Sequence, residues 1–168
     1  MTISSGRSPC SENALIEMTT APEQFRHSHT VRIRFHHVDS LGVVHQNWYF
    51  FFFEEARTEY LRHIGFPMGP DAFAGMNKML VVRNSCDYLN PARFDGELEI
   101  FTRVSRVKRS SVTFEQLAVD RLSRLPVARA EHTIVSVDPA SNRPWRVPEA
   151  IRDVILRFEQ GNADFSES

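Results

Sequence analysis

Asp39 and His45 stand close together in Asp39-Ser40-Leu41-Gly42-Val43-Val44-His45-Gln46-Asn47, just ahead of a segment patterned as a long helix. A carboxylate can attack an electrophilic carbon directly or draw a proton from water. His45 is a second group able to move a proton, because imidazole titrates near neutrality, whereas Gln46 can hydrogen-bond but not titrate. The helix is expected to start at Asn47, a good N-cap residue, and a helix start carries unpaired N–H groups that favour negative charge. An anionic side chain is thus placed within reach of an electropositive helix end. The same residues have a structural use, since Asp-x-x-Gly is a common turn in which the carboxylate accepts backbone hydrogen bonds. At this level both readings stand. Further along, Lys108-Arg109-Ser110-Ser111 is a basic, hydroxyl-rich connection of the kind that binds phosphate.

The elements that must hold these groups follow from hydrophobic periodicity. From Asn47 to about His63 the pattern is helical, with Phe50, Phe51, Phe52 and Phe53 in succession. At about 100° per residue the four rings point all round the axis, which predicts a helix enclosed on every side near its start. Glu54, Glu55, Arg57, Glu59 and Arg62 gather in its second half, so that end is expected to meet solvent or another chain. Arg62 and His63 suit the negative dipole end, Gly65 suits a left-handed cap, and Pro67 bars continuation.

Before the helix, residues 29–37 alternate Val31, Ile33 and Phe35 against Arg32, Arg34 and His36, as a half-buried strand does. His36 and His37, adjacent in that strand, would face opposite ways and not share a metal. Residues 68–77 read as a loop with one helical turn. Strands are expected over 78–89, 97–107, 112–121 and 127–137, joined by short breaks as in an antiparallel meander, then an amphipathic helix over 148–160. In the third strand Leu98, Ile100, Thr102 and Val104 share a face. Residues 1–28 form a flexible extension, with Met18 a candidate alternative start, 29–160 one domain, and 161–168 a tail. The predicted fold is α+β, a strongly curved five-stranded antiparallel sheet wrapped around one long central helix, with a C-terminal helix at the periphery. Sheet edges and a helix flank left uncovered imply at least a dimer.

Composition bounds the function. A chain of 168 residues with 42% hydrophobic and 24% charged residues is an ordinary globular domain. A net charge of -1 leaves no overall basic footprint for nucleic acid. Cys10 and Cys86 form neither a disulfide framework nor a metal set, and no metal is assigned. No apolar run is long enough for a membrane span and no signal peptide is visible, so a cytoplasmic location is expected.

Asp39-x-x-Gly42-Val43-Val44, Tyr49 and Glu54-Glu55-Ala56-Arg57-Thr58-Glu59-Tyr60-Leu61-Arg62 together resemble the 4-hydroxybenzoyl-CoA thioesterase family of hotdog-fold acyl-CoA thioesterases, including its Tol–Pal-associated branch. Tyr88-x-x-Pro91-Ala92-Arg93, Leu98-Glu99-Ile100 and Val135-x-Val137-Asp138-Pro139 are similar to the same family, and the resemblance runs from about Val31 to Phe158. It implies a hotdog fold, packed as a homodimer or homotetramer. It also implies hydrolysis of an aromatic (4-hydroxybenzoyl-like) or short-chain acyl-CoA to free acid and CoA. No cofactor is implied, coenzyme A being part of the substrate. The resemblance carries onto Asp39 the role of nucleophile or general base, onto the backbone N–H of Gln46 that of oxyanion donor, and onto Gly42 that of a turn glycine admitting the substrate. Lys108, Arg109, Ser110 and Ser111 would contact the nucleotide, His45 would position substrate or water, and Trp48 and Tyr49 would line the acyl pocket.

This chain departs from the family pattern at three places. His45-Gln46-Asn47 stands where many relatives have Tyr-His-Ala, and Trp48 where Asn or Ser is usual. His36-His37-Val38 replaces an acidic cluster. Two other functions belong to the same fold. A hydratase or dehydratase would show an HxFPG-type sequence, which this chain lacks. A non-catalytic acyl-CoA-binding protein would have lost Asp39, which is present.

Overall fold

A computed structural model describes residues 21–66 and 78–166. The elements in chain order are β1 (His27–Arg32), α1 (Gln46–His63), β2 (Lys78–Tyr88), β3 (Glu97–Val107), β4 (Ser111–Asp120), β5 (Pro126–Val137), α2 (Glu149–Glu159) and β6 (Asp164–Phe165). Two 3₁₀ turns, Ala21–Gln24 and Phe35–His37, precede α1. Of the expected extension over 1–28, residues 1–20 lie outside the described residues, as does the loop over 68–77, while residues 21–28 are not a featureless tail but hold the first 3₁₀ turn and the start of β1.

The α+β expectation holds, and a curved antiparallel sheet packs against α1. Its strand order is β1-β3-β4-β5-β2. Only β3, β4 and β5 form a meander. β2 joins the far side of β5 instead, in register from Lys78↔Val137 to Tyr88↔Ala128. β1 occupies the β3 edge, so the chain must travel between opposite edges of the sheet, and α1 lies in that crossing. The expected five strands also gain a sixth: β6 pairs parallel with β3 at Arg106 and Val107, so part of the expected tail belongs to the sheet.

β1 ends at Arg32 rather than continuing to His37. Ile33 still donates its N–H to Gly96 at 2.8 Å, but Phe35 to His37 close a 3₁₀ turn in which the His37 N–H returns to the Arg34 carbonyl. His36 and His37 therefore do not alternate across a strand; their rings meet at 4.2 Å between centroids.

The four phenylalanines divide between core and surface, correcting the expectation of burial on every side. Phe53 is 0% and Phe52 3% exposed, Phe50 is half-buried, and Phe51 is 58% exposed. Phe51 and Phe53 are two residues and hence about 200° apart on the helix. One sheet can cover only one of them. Around Phe53 the main core gathers Ile33, Tyr49, Ala56, Leu98, Ile100 and Ala118. Leu98, Ile100, Thr102 and Val104 are all buried, as their alternation requires. A second core cluster holds Tyr60, Val104, Phe114 and Ile155, fastening α2 to the far end of α1. Within it the Tyr60 hydroxyl donates to Glu159 Oε1 at 2.6 Å, and the Val104 N–H donates to the same oxygen at 2.9 Å. At the end of α1, Gly65 takes φ +88° just past the cap, as expected. Among the described residues no helix is long and apolar enough to cross a membrane.

Candidate active site

Residues 37 to 45 fold back on themselves as a narrow hairpin. The His45 N–H donates to the His37 carbonyl at 3.0 Å, and the Asp39 N–H donates to Val43 at 2.9 Å. Gly42 closes the tip with φ +70°, a left-handed conformation that a side chain would strain, and its N–H donates to the Asp39 carbonyl at 3.0 Å. The hairpin is pinned to the sheet side by the Val44 N–H, 2.9 Å from the Ala92 carbonyl. Asp39 is the half-buried acid at the tip. Its Oδ1 accepts from Leu41 N–H at 2.8 Å and Val43 N–H at 3.4 Å, so the Asx-turn role is realised. A carboxylate has about four acceptor positions, so these bonds do not exhaust it.

The helix begins one residue earlier than Asn47. His45 is its N-cap: its Nδ1 accepts from the Asn47 N–H at 3.4 Å, and its carbonyl accepts from Trp48 at 2.9 Å. A histidine ring can cap in this way because its unprotonated nitrogen is an acceptor. Gln46 is the first helical residue, and its N–H has no acceptor among the described residues. Such a donor at a helix start carries the positive end of the dipole into the adjoining space.

That space is a cavity of about 450 Å³ lined by Asp39, Val43, Val44, His45, Gln46, Tyr49, Tyr88, Asn90 and Pro91. Its size is that of a small-molecule site. Tyr49 and Tyr88 meet edge to face at 5.4 Å, and the Tyr88 hydroxyl donates to the Gln46 carbonyl at 3.2 Å. Burial pushes the Tyr49 hydroxyl up to about 12. Burial likewise pushes the nearby Cys86 thiol up to about 11, so it stays protonated at neutral pH and is no nucleophile.

The structure brings Asp39, Gly42, His45, Gln46 and Tyr49 together, but not Trp48. The Trp48 ring packs against His37 at 4.5 Å and Phe51 at 5.3 Å, and is not among the cavity-lining residues. Tyr88, Asn90 and Pro91 form a wall outside the set of residues expected at the site. Their signal was the Tyr88-x-x-Pro91 block, read only as a family likeness. Glu54 and Glu55 are exposed on α1, and Glu55 Oε1 lies 3.0 Å from His29 Nε2. Lys108, Arg109 and Ser110 form the β3–β4 connection and Ser111 opens β4, beside the Lys78 end of β2, whereas the cavity lies at its Tyr88 end. The 11 residues of β2 put about 33 Å between these ends within one chain. Among the described residues no group of three or more His, Cys, Asp or Glu side chains could hold a metal.

Comparison with known proteins points the same way. A model of the thioesterase superfamily matches residues 41–126. The acyl-CoA thioester hydrolase YbgC of Escherichia coli is 36% identical over 131 residues, 77% of this chain and 93% of that protein. The acyl-CoA thioesterase YbgC of Haemophilus influenzae is 33% identical, over 74% of this chain and 90% of its own. Among solved structures, a Thermus thermophilus thioesterase complexed with coenzyme A and Zn superposes with a TM-score of 0.70 at 29% identity, over 82% of this chain and 97% of that one.

Proposed function

This chain belongs to the thioesterase superfamily, and from that membership we propose that it hydrolyses acyl-CoA thioesters to carboxylic acid and free coenzyme A. One observation carries the reading: Asp39 and Gln46, whose N–H has no acceptor among the described residues, line a single cavity. The thioester carbonyl oxygen receives the Gln46 N–H, where charge develops in the tetrahedral intermediate, and one such donor typically accounts for about 3 kcal/mol of transition-state stabilisation. Both hairpin bonds fall on Asp39 Oδ1, so Oδ2 is the oxygen turned to chemistry. It attacks the carbonyl carbon to give a mixed anhydride that water then opens, or it takes a proton from the water that attacks. Either way the C–S bond breaks and the thiolate leaves with its electron pair. A thiol ionises near pH 8.5, so it departs without a strong general acid. Gly42 keeps the tip narrow, and His45 positions substrate or water at the rim. Tyr49 and Tyr88 line the acyl side and favour a flat aromatic acyl group over a long chain.

The outer edge of β2 has no strand against it among the described residues, and it exposes Leu80, Val81 and Val82. Such an edge is a template for pairing, and a second copy is its natural cover. Antiparallel pairing of two β2 edges brings the Lys78 end of one copy beside the Tyr88 end of the other. Lys108 to Ser111 of the partner subunit then approach this copy's cavity, where they would meet the nucleotide phosphates of coenzyme A. The homodimer is therefore part of the proposed active unit. Coenzyme A esters are made and used inside cells, which supports a cytoplasmic location.

The test is thiol release from benzoyl-, 4-hydroxybenzoyl-, acetyl- and butyryl-CoA. Release from at least one ester, fastest with the aromatic pair, is expected. Binding of all four without release of CoA would replace hydrolysis with non-catalytic acyl-CoA binding.

A further inference from the structure

His37 is a histidine that the chemistry above does not use, placed where it holds that chemistry together. It is 6% exposed, in the 3₁₀ turn two residues before Asp39. Its Nδ1 accepts the Arg34 N–H at 3.0 Å, which assigns the ring proton to Nε2. Its carbonyl accepts the His45 N–H at 3.0 Å, closing the base of the hairpin that carries Asp39 and leading directly into the cap of α1. Its ring packs against Trp48 at 4.5 Å and Phe52 at 4.8 Å, both in the first two turns of α1. One residue thus ties three things: the end of the β1 segment through Arg34, the hairpin through its carbonyl, and the helix through its ring. The distance from Asp39 to the Gln46 N–H depends on all three.

We propose that neutral His37 is a positioning residue that sets the Asp39 hairpin against the first turn of α1, and that protonation of its ring releases this setting and gives the enzyme an acid limb. The inference rests on the reading of Asp39 and Gln46 as the reacting pair. A protonated Nδ1 becomes a donor facing the Arg34 N–H, so an acceptor is lost and two donors meet. The new charge also lies near the positive end of the helix dipole. The titratable and charged groups around it are His36 and Arg34 on the turn and its approach, and Glu55 on α1. Burial, then His36 and Arg34, hold the ring below the ordinary histidine range, against a smaller opposing pull from Glu55. The ring is therefore neutral at pH 7 and the limb lies on the acid side. A histidine is what makes the arrangement switchable. An acid or amide at position 37 would not change state over pH 5 to 8 in this way.

The experiment uses the full chain labelled with ¹⁵N and ¹³C, together with His37→Asn and His37→Phe. Asn retains an acceptor at the position of Nδ1 but does not titrate, and Phe retains a ring without an acceptor. In the wild type, the His37 ring resonances and the Leu41 to His45 amides should titrate with one common midpoint below 6.5. Below that midpoint kcat should fall tenfold per pH unit. In His37→Asn the common titration should vanish, and with it the acid limb at that midpoint, while loss of the ring packing on Trp48 and Phe52 should lower kcat at pH 8 by no more than about tenfold. In His37→Phe kcat should fall about tenfold at every pH with KM little changed. Hairpin amides that ignore the ring's titration, or an acid limb at the wild-type ring midpoint that survives in folded His37→Asn, would overturn the proposal while leaving the thioesterase reading intact. Absence of turnover with every ester would remove that reading alone, because the coupled titration of ring and hairpin is read without substrate.

Discussion

Replacing Asp39 with Asn, and separately with Ala, divides the chemistry of this residue from its turn geometry. Asn keeps an oxygen where Oδ1 accepts from Leu41 at 2.8 Å and from Val43 at 3.4 Å, but it can neither attack a thioester nor accept a proton from water. Only the 2.8 Å bond is short enough to count fully. A hydrogen bond to a charged group contributes about 1.5–3 kcal/mol and a neutral one about 0.5–1.5. With Asp39 half-exposed, Asn should cost about 1 kcal/mol of stability or less, and Ala about 1–2. In a chain of this size that is a fall in Tm of about 2–4 °C per kcal/mol. Loss of a general base lowers rate by about 10²–10⁴-fold, equivalent to about 2.7–5.4 kcal/mol of barrier. Thiol release with the best ester, paired with thermal melts, should show Asp39→Asn melting close to wild type yet at least 100-fold slower. A purely structural Asp39 predicts the opposite ordering, with Asn near wild type in rate and Ala both slow and unstable. Turnover of Asp39→Asn within tenfold of wild type would therefore refute the assignment.

Three further outcomes follow from the packing. Burial raises Glu159 above the usual carboxylate range, so its folded value exceeds its unfolded one. Its contribution is full below the unfolded value near pH 4.5 and is lost as pH rises through the folded value. Glu159→Gln keeps an acceptor for Tyr60 and Val104 without titrating, so its Tm relative to wild type should climb from pH 4.5 to pH 8; a constant difference would contradict this. Phe53→Ala, at a fully buried position, should cost about 3–5 kcal/mol in urea unfolding, and a loss under 1 kcal/mol would mean α1 is not seated on the sheet as described. Val82→Lys on the open β2 edge should weaken the proposed dimer, shifting sedimentation toward monomer, and raise KM for the ester. An unchanged dimer would place the seam elsewhere.

Much of this protein was legible in the chain because it depends on local rules. The β3 limits, Glu97–Val107, coincide with the alternation of Leu98, Ile100, Thr102 and Val104. The stop of α1 coincides with the dipole and glycine signals at Arg62, His63 and Gly65. Asp39 and Gly42 could be singled out because a carboxylate and a turn glycine lie in one short stretch just ahead of a helix start, where sequence distance limits spatial distance, whereas Gln46 was reached only through the family resemblance. What required the tertiary structure was long-range. No local pattern tells β2 to join β5 rather than β3, since any strand edge offers the same donors and acceptors. Periodicity showed four phenylalanines around an axis, but only the single-sided sheet decided that Phe53 is buried and Phe51 left for another surface. Tyr88 reached the Gln46 carbonyl across 42 residues, and His37 became an anchor because the chain bent at Phe35 instead of extending. The residues capable of chemistry could be read from side-chain types and short spacings. Their setting against one another is a property of packing, which sums contacts between segments that the chain holds far apart.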